Sequence, residues 1–473
     1  MKLRFTAAKI FAVAAMLTLL GACTASPDYV RPGVATPAAY KEAGDWKIAQ
    51  PRDTVQRGRW WEIFRDAQLD ALAGQIDISN QNVRIAEARF RQARALVQSA
   101  RAGLFPRVTG GGAVTRSGSP SGATRSSGPI TTYDVSIDAG WEADLWGRVR
   151  NTVESNIAGA EASAADLEAV RLSAQAELAL NYFQLRVLDG QRQLLEDSVA
   201  AFQKSFDLTR NRYAAGVAGK VDVVQAETQL KSTQAQAIDI GVQRAQLEHA
   251  IAILIGRPPA DFALAPIPVN LAMPMIPPGL PSELLERRPD IAAAERRVAA
   301  ANAQVGVAKS AFFPALTLSA SAGFQSSSFA QWLTMPSRFW AVGPAIAQSI
   351  FDAGLRRALT AQAIAVYDAN VAAYRQTVLS GFQEVEDNLA ALRTLEQEAS
   401  VQADAVAAAR QSVELTLNQY KAGTVSYLNV VAVQTALLTN ERTAASILGR
   451  RLTAAVTLVK ALGGGWSAAE LPR

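Results

Sequence analysis

A chain of 473 residues is long enough for two or three domains with sizeable cores, yet its 49% apolar content is heavy in alanine and only 7% is aromatic. That balance points to long, closely packed helices in place of a thick globular core. The formal charge of +5 falls to +2 once Lys2, Arg4 and Lys9 of a leader are set aside, leaving 44 Lys+Arg against 42 Asp+Glu. Near balance, with no RNA- or DNA-binding motif, gives no support for a nucleic-acid partner.

In chain order, Lys2, Arg4 and Lys9 precede an apolar run from Ile10 to Leu20 and the small residues Gly21 and Ala22. This is the layout of a secretory signal over residues 1–22, too short for a spanning helix. It ends at Cys23, the only cysteine, which leaves no partner for an internal disulfide. Leu20-Gly21-Ala22-Cys23 resembles a bacterial lipobox, so Cys23 is the expected lipidation site. The plainer alternative is an ordinary signal peptide with an incidental cysteine. Thr24 stands where an inner-membrane retention Asp would be, which favours the outer membrane.

Residues 23–75 read as an irregular lead, with a Trp60-Trp61 pair and a short helix near Asp66–Gln75. A first repeat spans 76–256. It opens with a helix over about 76–103, stopped by Phe105-Pro106 because proline lacks the N–H and disfavours helix before it. Strands over 104–116 and 131–142 flank a Gly, Ser and Pro loop, and Val135, Ile137, Ala139 and Trp141 alternate with Asp134, Ser136, Asp138 and Gly140. Helix then runs without proline from Arg148 to Tyr213, about 100 Å at 1.5 Å per residue. Leu188, Leu195 and Phe202 recur every seven, interleaved with Val199 and Phe206, as a packing stripe. Tyr213-Ala214-Ala215-Gly216 ends it where a left-handed cap is needed, and a return helix starts near Lys220 and runs to Gly256.

Residues 257–282 form a connector in which eight of the chain's twenty prolines fall between 257 and 281, too many for helix. The second repeat, 283–463, follows the first at an offset of 208 before its strands and 207 after them. Thus Ala294, Glu295, Arg297, Phe313 and Pro314 match Ala86, Glu87, Arg89, Phe105 and Pro106; Asn418, Tyr420, Gly423 and Val430 match Asn211, Tyr213, Gly216 and Val223. It predicts a helix over 283–311, a hairpin of 314–325 with 338–350, and a long helix over Arg357–Tyr420. A return helix follows from Tyr427 with Ser426 as N-cap, and 464–473 is a tail. The fold class is therefore mostly α with a membrane β-barrel component: two tandem repeats, four strands and long coiled-coil-like helices per subunit. Two hairpins cannot close a barrel, and open edges cannot sit in lipid, so oligomerisation is expected. A trimer would supply a 12-stranded barrel over an α-helical tunnel, Val135, Ile137, Ala139 and Trp141 toward lipid and Asp134, Ser136 and Asp138 toward water.

The chain resembles the outer-membrane factors, the TolC-like lipoprotein channels of NodT type. The matching segments are Pro27-Asp28-Tyr29-Val30-Arg31-Pro32, Trp60-Trp61-Glu62, Leu284-Leu285-Glu286-Arg287-Arg288-Pro289-Asp290 with Ala294-Glu295, and the two Tyr-x-x-Gly tips. The resemblance implies a homotrimeric exit duct in the outer membrane, without cofactor. It would be fed by a periplasmic adaptor (a membrane fusion protein) and an inner-membrane pump, the proton-driven RND type being the expected one. It implies adaptor-contacting tips at Tyr213, Gly216, Gly423 and Ser426, and a periplasmic gate in which Asp222 and Tyr420 match an acid–tyrosine link. The positions of the family's acidic ring hold Asn429 and Ala432, a departure that predicts weaker cation selectivity. The bland reading of Asp222 and Tyr420 is a solvated turn acid and a packing tyrosine. Alternatives to efflux are a type I protein secretion channel and, in another class, an envelope-tethering coiled-coil lipoprotein, which leaves two matched strand pairs unexplained. An enzyme is the weakest reading: His249 is the only histidine, and there is no phosphate loop, metal-ligand spacing or nucleophile elbow.

Overall fold

The structure is a computed structural model that describes residues 27–43, 59–118, 129–267, 274, 276 and 283–471. Cys23, the loop over 119–128 and most of the connector beyond 267 lie outside the described residues. The chain divides into two compact units, with every boundary except Gly33–Val34 inside a helix: one holds residues 27–33, Arg89–Ser163 and Ala293–Arg375, the other Val34–Ala88, Ala164–Ala292 and Gln376 to the C-terminal end.

The first unit contains the strands β1 (Arg107–Ser117), β2 (Ile130–Ala143), β3 (Ala315–Ser326) and β4 (Arg338–Ala347). They form one antiparallel sheet in the order β1-β2-β3-β4. Each repeat supplies one hairpin, as expected, and the β2–β3 ladder joins the two hairpins. Directly paired residues share a face, so the register sorts the whole sheet. Ile137 pairs with Gly110 and Ala322, and Ala322 with Trp340; Asp138 pairs with Thr109 and Ser321. One face therefore carries Val108, Val114, Val135, Ile137, Trp141, Leu318, Phe324, Trp340, Val342 and Ile346. The other carries Thr109, Asp134, Ser136, Asp138, Thr317, Ser319 and Ser321. Where β2 gives way to helix, Asp144 accepts from the backbone N–H groups of Val149 (2.9 Å) and Arg150 (2.8 Å), capping the helix that follows. In the second repeat Asp352 plays the same part toward Gly354 and Arg356. The N-terminal strap is pinned to this unit by Asn302 donating to the Pro27 carbonyl (2.9 Å), Tyr29 donating to buried Glu295, and Arg31 donating to Tyr374 (3.3 Å). Burial, and then the Glu295 carboxylate, push the Tyr29 hydroxyl pKa well above its usual range.

Besides a single turn at Leu284–Arg287, the described α-helices are α1 (Ala67–Ser79), α2 (Gln81–Ala102), α3 (Arg148–Ala214), α4 (Lys220–Leu254), α5 (Pro289–Ser310), α6 (Leu355–Lys421) and α7 (Tyr427–Ala461). Both long helices have 67 residues and both return helices 35, at a constant offset of 207. The opening helices are shorter than predicted, 22 residues each, because both copies break near the start. In the first, Asn80 leaves the helix; its Oδ1 accepts from Val83 N–H (3.0 Å) and its Nδ2 donates to the Leu254 carbonyl (2.7 Å). In the second, Arg288 stands at the break before Pro289, and its Nη1 donates to the Ala461 carbonyl (3.2 Å) and to Glu384 (2.6 Å). Leu254 and Ala461 are the last residues of their return helices, so each copy ties the same orphan carbonyl to the same break. Gly256 and Gly463 follow at φ of +69° and +91°, and a Cβ on either would lie within 2.3 Å or 2.1 Å of the Ser79 or Arg287 carbonyl oxygen.

In the second unit the predicted stripe is a core: Leu188, Leu195 and Phe202 pack with Leu230, Ile240 and Leu438, flanked by Val199 and Phe206. Trp60 and Trp61 are buried, and the Trp60 indole donates to Gln175 (3.2 Å). Asp189, 1% exposed, accepts from Arg186 (2.9 Å), Arg244 (2.7 Å) and the backbone N–H of Ile267 (3.1 Å). Both arginines also donate to connector carbonyls, Arg186 to Ala265 and Arg244 to Leu264. The start of the connector is thereby strapped to α3 and α4.

Candidate functional site

The tips of the helical hairpins lie in the second unit. Each long helix closes as the sequence predicts, Gly216 at φ +73° and Gly423 at φ +79°, with Val217 N–H reaching back to the Arg212 carbonyl (2.9 Å) and Thr424 N–H to Gln419 (3.0 Å). Ser426 is the N-cap of α7, but its hydroxyl makes no cap bond; its carbonyl accepts from Asn429 N–H (3.2 Å). Asp222 sits at the third position of α4 and its carboxylate accepts from Gly219 N–H (3.3 Å), a local cap in place of a side-chain cap at Gly219.

The equivalent tyrosines have opposite surroundings. Tyr213 is 46% exposed, whereas Tyr420 is 3% exposed in a cluster with Ala226, Tyr427 and Val430. The Tyr420 hydroxyl donates to Thr209 (3.2 Å), and its ring meets that of Tyr427 edge-on at 5.5 Å. Within one chain, then, Asp222 and Tyr420 each have a different hydrogen-bond partner. Asp222 acts instead on Tyr427, whose hydroxyl is buried without a hydrogen-bond partner among the described residues. Burial first, then Tyr420 and the charge of Asp222, push the Tyr427 pKa up to about 12. Asn429, Ala432, Gly216, Gly423 and Ser426 are exposed.

Arg212 was not singled out by sequence reasoning, yet it joins the two hairpins. Its Nη1 donates to the carbonyls of Tyr420 (3.0 Å) and Lys421 (3.2 Å), and its guanidinium lies 4.7 Å from the Tyr420 ring centre. Those carbonyls end α6, where a cation is favoured by the helix dipole. Its place next to Tyr213 was the available signal, but its partners come 208 residues later. Tyr427, seven residues after Tyr420, was likewise missed, since its counterpart in the first copy is Lys220. His249 is exposed on α4, and the described residues contain no cluster able to hold a metal ion.

The sheet's faces are as contrasted as the tips are asymmetric. On the apolar face Trp340, Val342 and Ile346 are each more than 70% exposed, a contiguous band that water alone would not stabilise. On the polar face Asp138 accepts from Ser321 (2.6 Å) and Ser136 (2.8 Å). Among the described residues, the edge strands β1 and β4 offer unpaired backbone donors and acceptors.

The sequence pattern of the family described as outer membrane efflux protein matches residues 72–257 and 280–464, one match per repeat. The antibiotic efflux pump outer membrane protein ArpC of Pseudomonas putida is 31% identical over 466 residues, covering 97% of this chain and 96% of that protein. The solvent efflux pump outer membrane protein SrpC, also of Pseudomonas putida, is 32% identical over 472 residues, with 96% and 98% covered. Among solved structures, the outer-membrane channel OprN superposes with a TM-score of 0.87 at 32% identity, over 94% of this chain and 100% of that one.

Proposed function

From the premise that the chain belongs to the outer membrane efflux protein family, we propose that three copies assemble into a passive exit duct served by a periplasmic adaptor and an RND-type inner-membrane pump. The chain is an outer-membrane efflux component. The observation that carries it is the sheet: four strands, one face a band of apolar side chains, the other polar, both edges unpaired among the described residues. A two-faced sheet with free edges satisfies its backbone in lipid only by closing on further copies, and three copies make twelve strands. The apolar face then meets acyl chains, and Asp134, Ser136 and Asp138 line a wet lumen. Cys23 would anchor the chain by acylation.

At the tips, Tyr213, Gly216, Gly423 and Ser426 offer backbone and side chains to the adaptor, and Asp222, Tyr420, Asn429 and Ala432 form the gate. The burial of Tyr420 supports its role, since a packed ring can hold two hairpins closed. The cargo is small organic molecules such as the antibiotics and solvents named for the relatives; a wide polar lumen has little selectivity of its own. Purified oligomers in a planar bilayer should give stepwise single-channel currents, larger or longer-lived in an Asp222→Ala, Tyr420→Phe double variant. Intact trimers silent in both forms would overturn the duct and restore the tether reading.

A further inference from the structure

The loop joining β3 to β4, residues 327–337, holds Phe329, Trp332, Leu333 and Met335 within one short connection. Phe329, Leu333 and Met335 are 70%, 66% and 70% exposed. The loop is ordered by its own bonds: Thr334 and Ser337 hydroxyls both donate to the Gln331 carbonyl, at 2.6 Å and 2.7 Å, and two 3-10 turns shape it. Its apolar side chains are thus held outward by a built scaffold, at a cost in water that a surface turn of polar residues would avoid.

The direction in which it leans decides what it meets. The rings of Phe329 and Trp332 pack on Tyr133, at 5.4 Å and 5.9 Å between centres, and the Trp332 indole donates to the Phe324 carbonyl (3.3 Å). Tyr133 and Phe324 both belong to the apolar face by register, on the same side as Val135 and Ile137. The loop therefore extends the apolar face and does not turn toward Asp134 and Asp138. Arg116 and Arg338 stand on that same face at the same end of the strands, both exposed, paired in the ladders with Thr131 and Phe324. Cations fringing an apolar band beside aromatic rings are the pattern of a bilayer interface, where phosphates lie just outside the acyl chains.

We propose that loop 327–337, with Tyr133, Arg116 and Arg338, is a membrane collar that embeds in the outer leaflet of the bilayer, and is not a lid over the duct. This rests on the reading that the sheet crosses the membrane, so the experiment separates the two. A nitrobenzoxadiazole dye is attached at Leu333→Cys, and in a second protein at Val342→Cys in the middle of the apolar band, using full-length protein reconstituted in phospholipid vesicles. The parent chain, whose only cysteine is Cys23, is labelled in parallel as the blank. Brominated acyl chains should lower the emission at both positions about twofold or more, while aqueous iodide leaves both nearly unchanged. Bromolipid quenching at 342 with iodide quenching alone at 333 would refute the collar and place the loop in water. Quenching by bromolipid at neither position would refute the membrane-spanning sheet, and the collar with it.

Discussion

Tyr213 and Tyr420 stand at the same place in the two repeats, and only the second is buried. Tyr420 and Tyr427 make the tip a packed aromatic joint, and Tyr427 brings into it a hydroxyl with no hydrogen-bond partner among the described residues. Removing an unsatisfied buried hydroxyl is neutral or stabilising, so Tyr427→Phe should unfold at the same temperature as the parent, or higher, at pH 7. Its folded pKa of about 12 lies above the ordinary value of 10. The folded state therefore keeps a proton that the unfolded chain releases first; the stability is fully present below pH 10 and is lost as pH rises toward 12. Thermal unfolding followed by near-UV circular dichroism at pH 7 and pH 11 should show a smaller alkaline loss in Tyr427→Phe than in the parent. Asn429 carries a second consequence. In the proposed gate Asn429 of each copy would line a narrow opening, where an added carboxylate concentrates cations, so Asn429→Asp should shift the reversal potential under a salt gradient toward cations. An unchanged reversal potential would remove Asn429 from the constriction.

Among the elements, the long helices and their tips were readable from periodicity, glycine and proline alone. The core stripe of Leu188, Leu195 and Phe202 shows that a seven-residue spacing was enough to find the packed face of α3. The break at Arg288 was signalled by Pro289, which disfavours helix at the residue before it, whereas the one at Asn80 was not readable, because an isolated polar residue in a helical pattern is ordinarily tolerated. At both breaks a side chain reaches a carbonyl on another element, Leu254 in one copy and Ala461 in the other, so two different side chains satisfy the same need. Asp189 is similar: a lone acid on a helix gives no sign that two arginines and the connector converge on it. With Asp189 1% exposed and Arg186 3%, Asp189→Asn leaves buried guanidinium charge uncompensated and should cost roughly 3–5 kcal/mol, read as a lowered denaturation midpoint. Arg186 and Arg244 also hold connector carbonyls, so the same variant should become more sensitive to proteolysis near residues 264–267.

For the whole molecule the decisive feature is the pair of free edges. If copies close the sheet, β1 of one must lie beside β4 of the next, although these strands are the farthest apart within a chain. Single cysteines along β1, such as Thr109→Cys, combined with ones along β4, such as Ala341→Cys, should oxidise between chains and give a ladder that stops at three on denaturing gels. A ladder that stops at two, or continues past three, would reject the trimer. By itself the sequence determined the order of elements, the duplication, the lengths of the long helices and the alternation along β2, since all of these are local periods or local stop signals. Only the tertiary structure decided that β2 pairs with β3, that one tyrosine of an equivalent pair is buried, and that Arg212 bridges the hairpins. Those outcomes depend on contacts between residues far apart in the chain, and no local period encodes which distant carbonyl, ring or strand edge a side chain will meet.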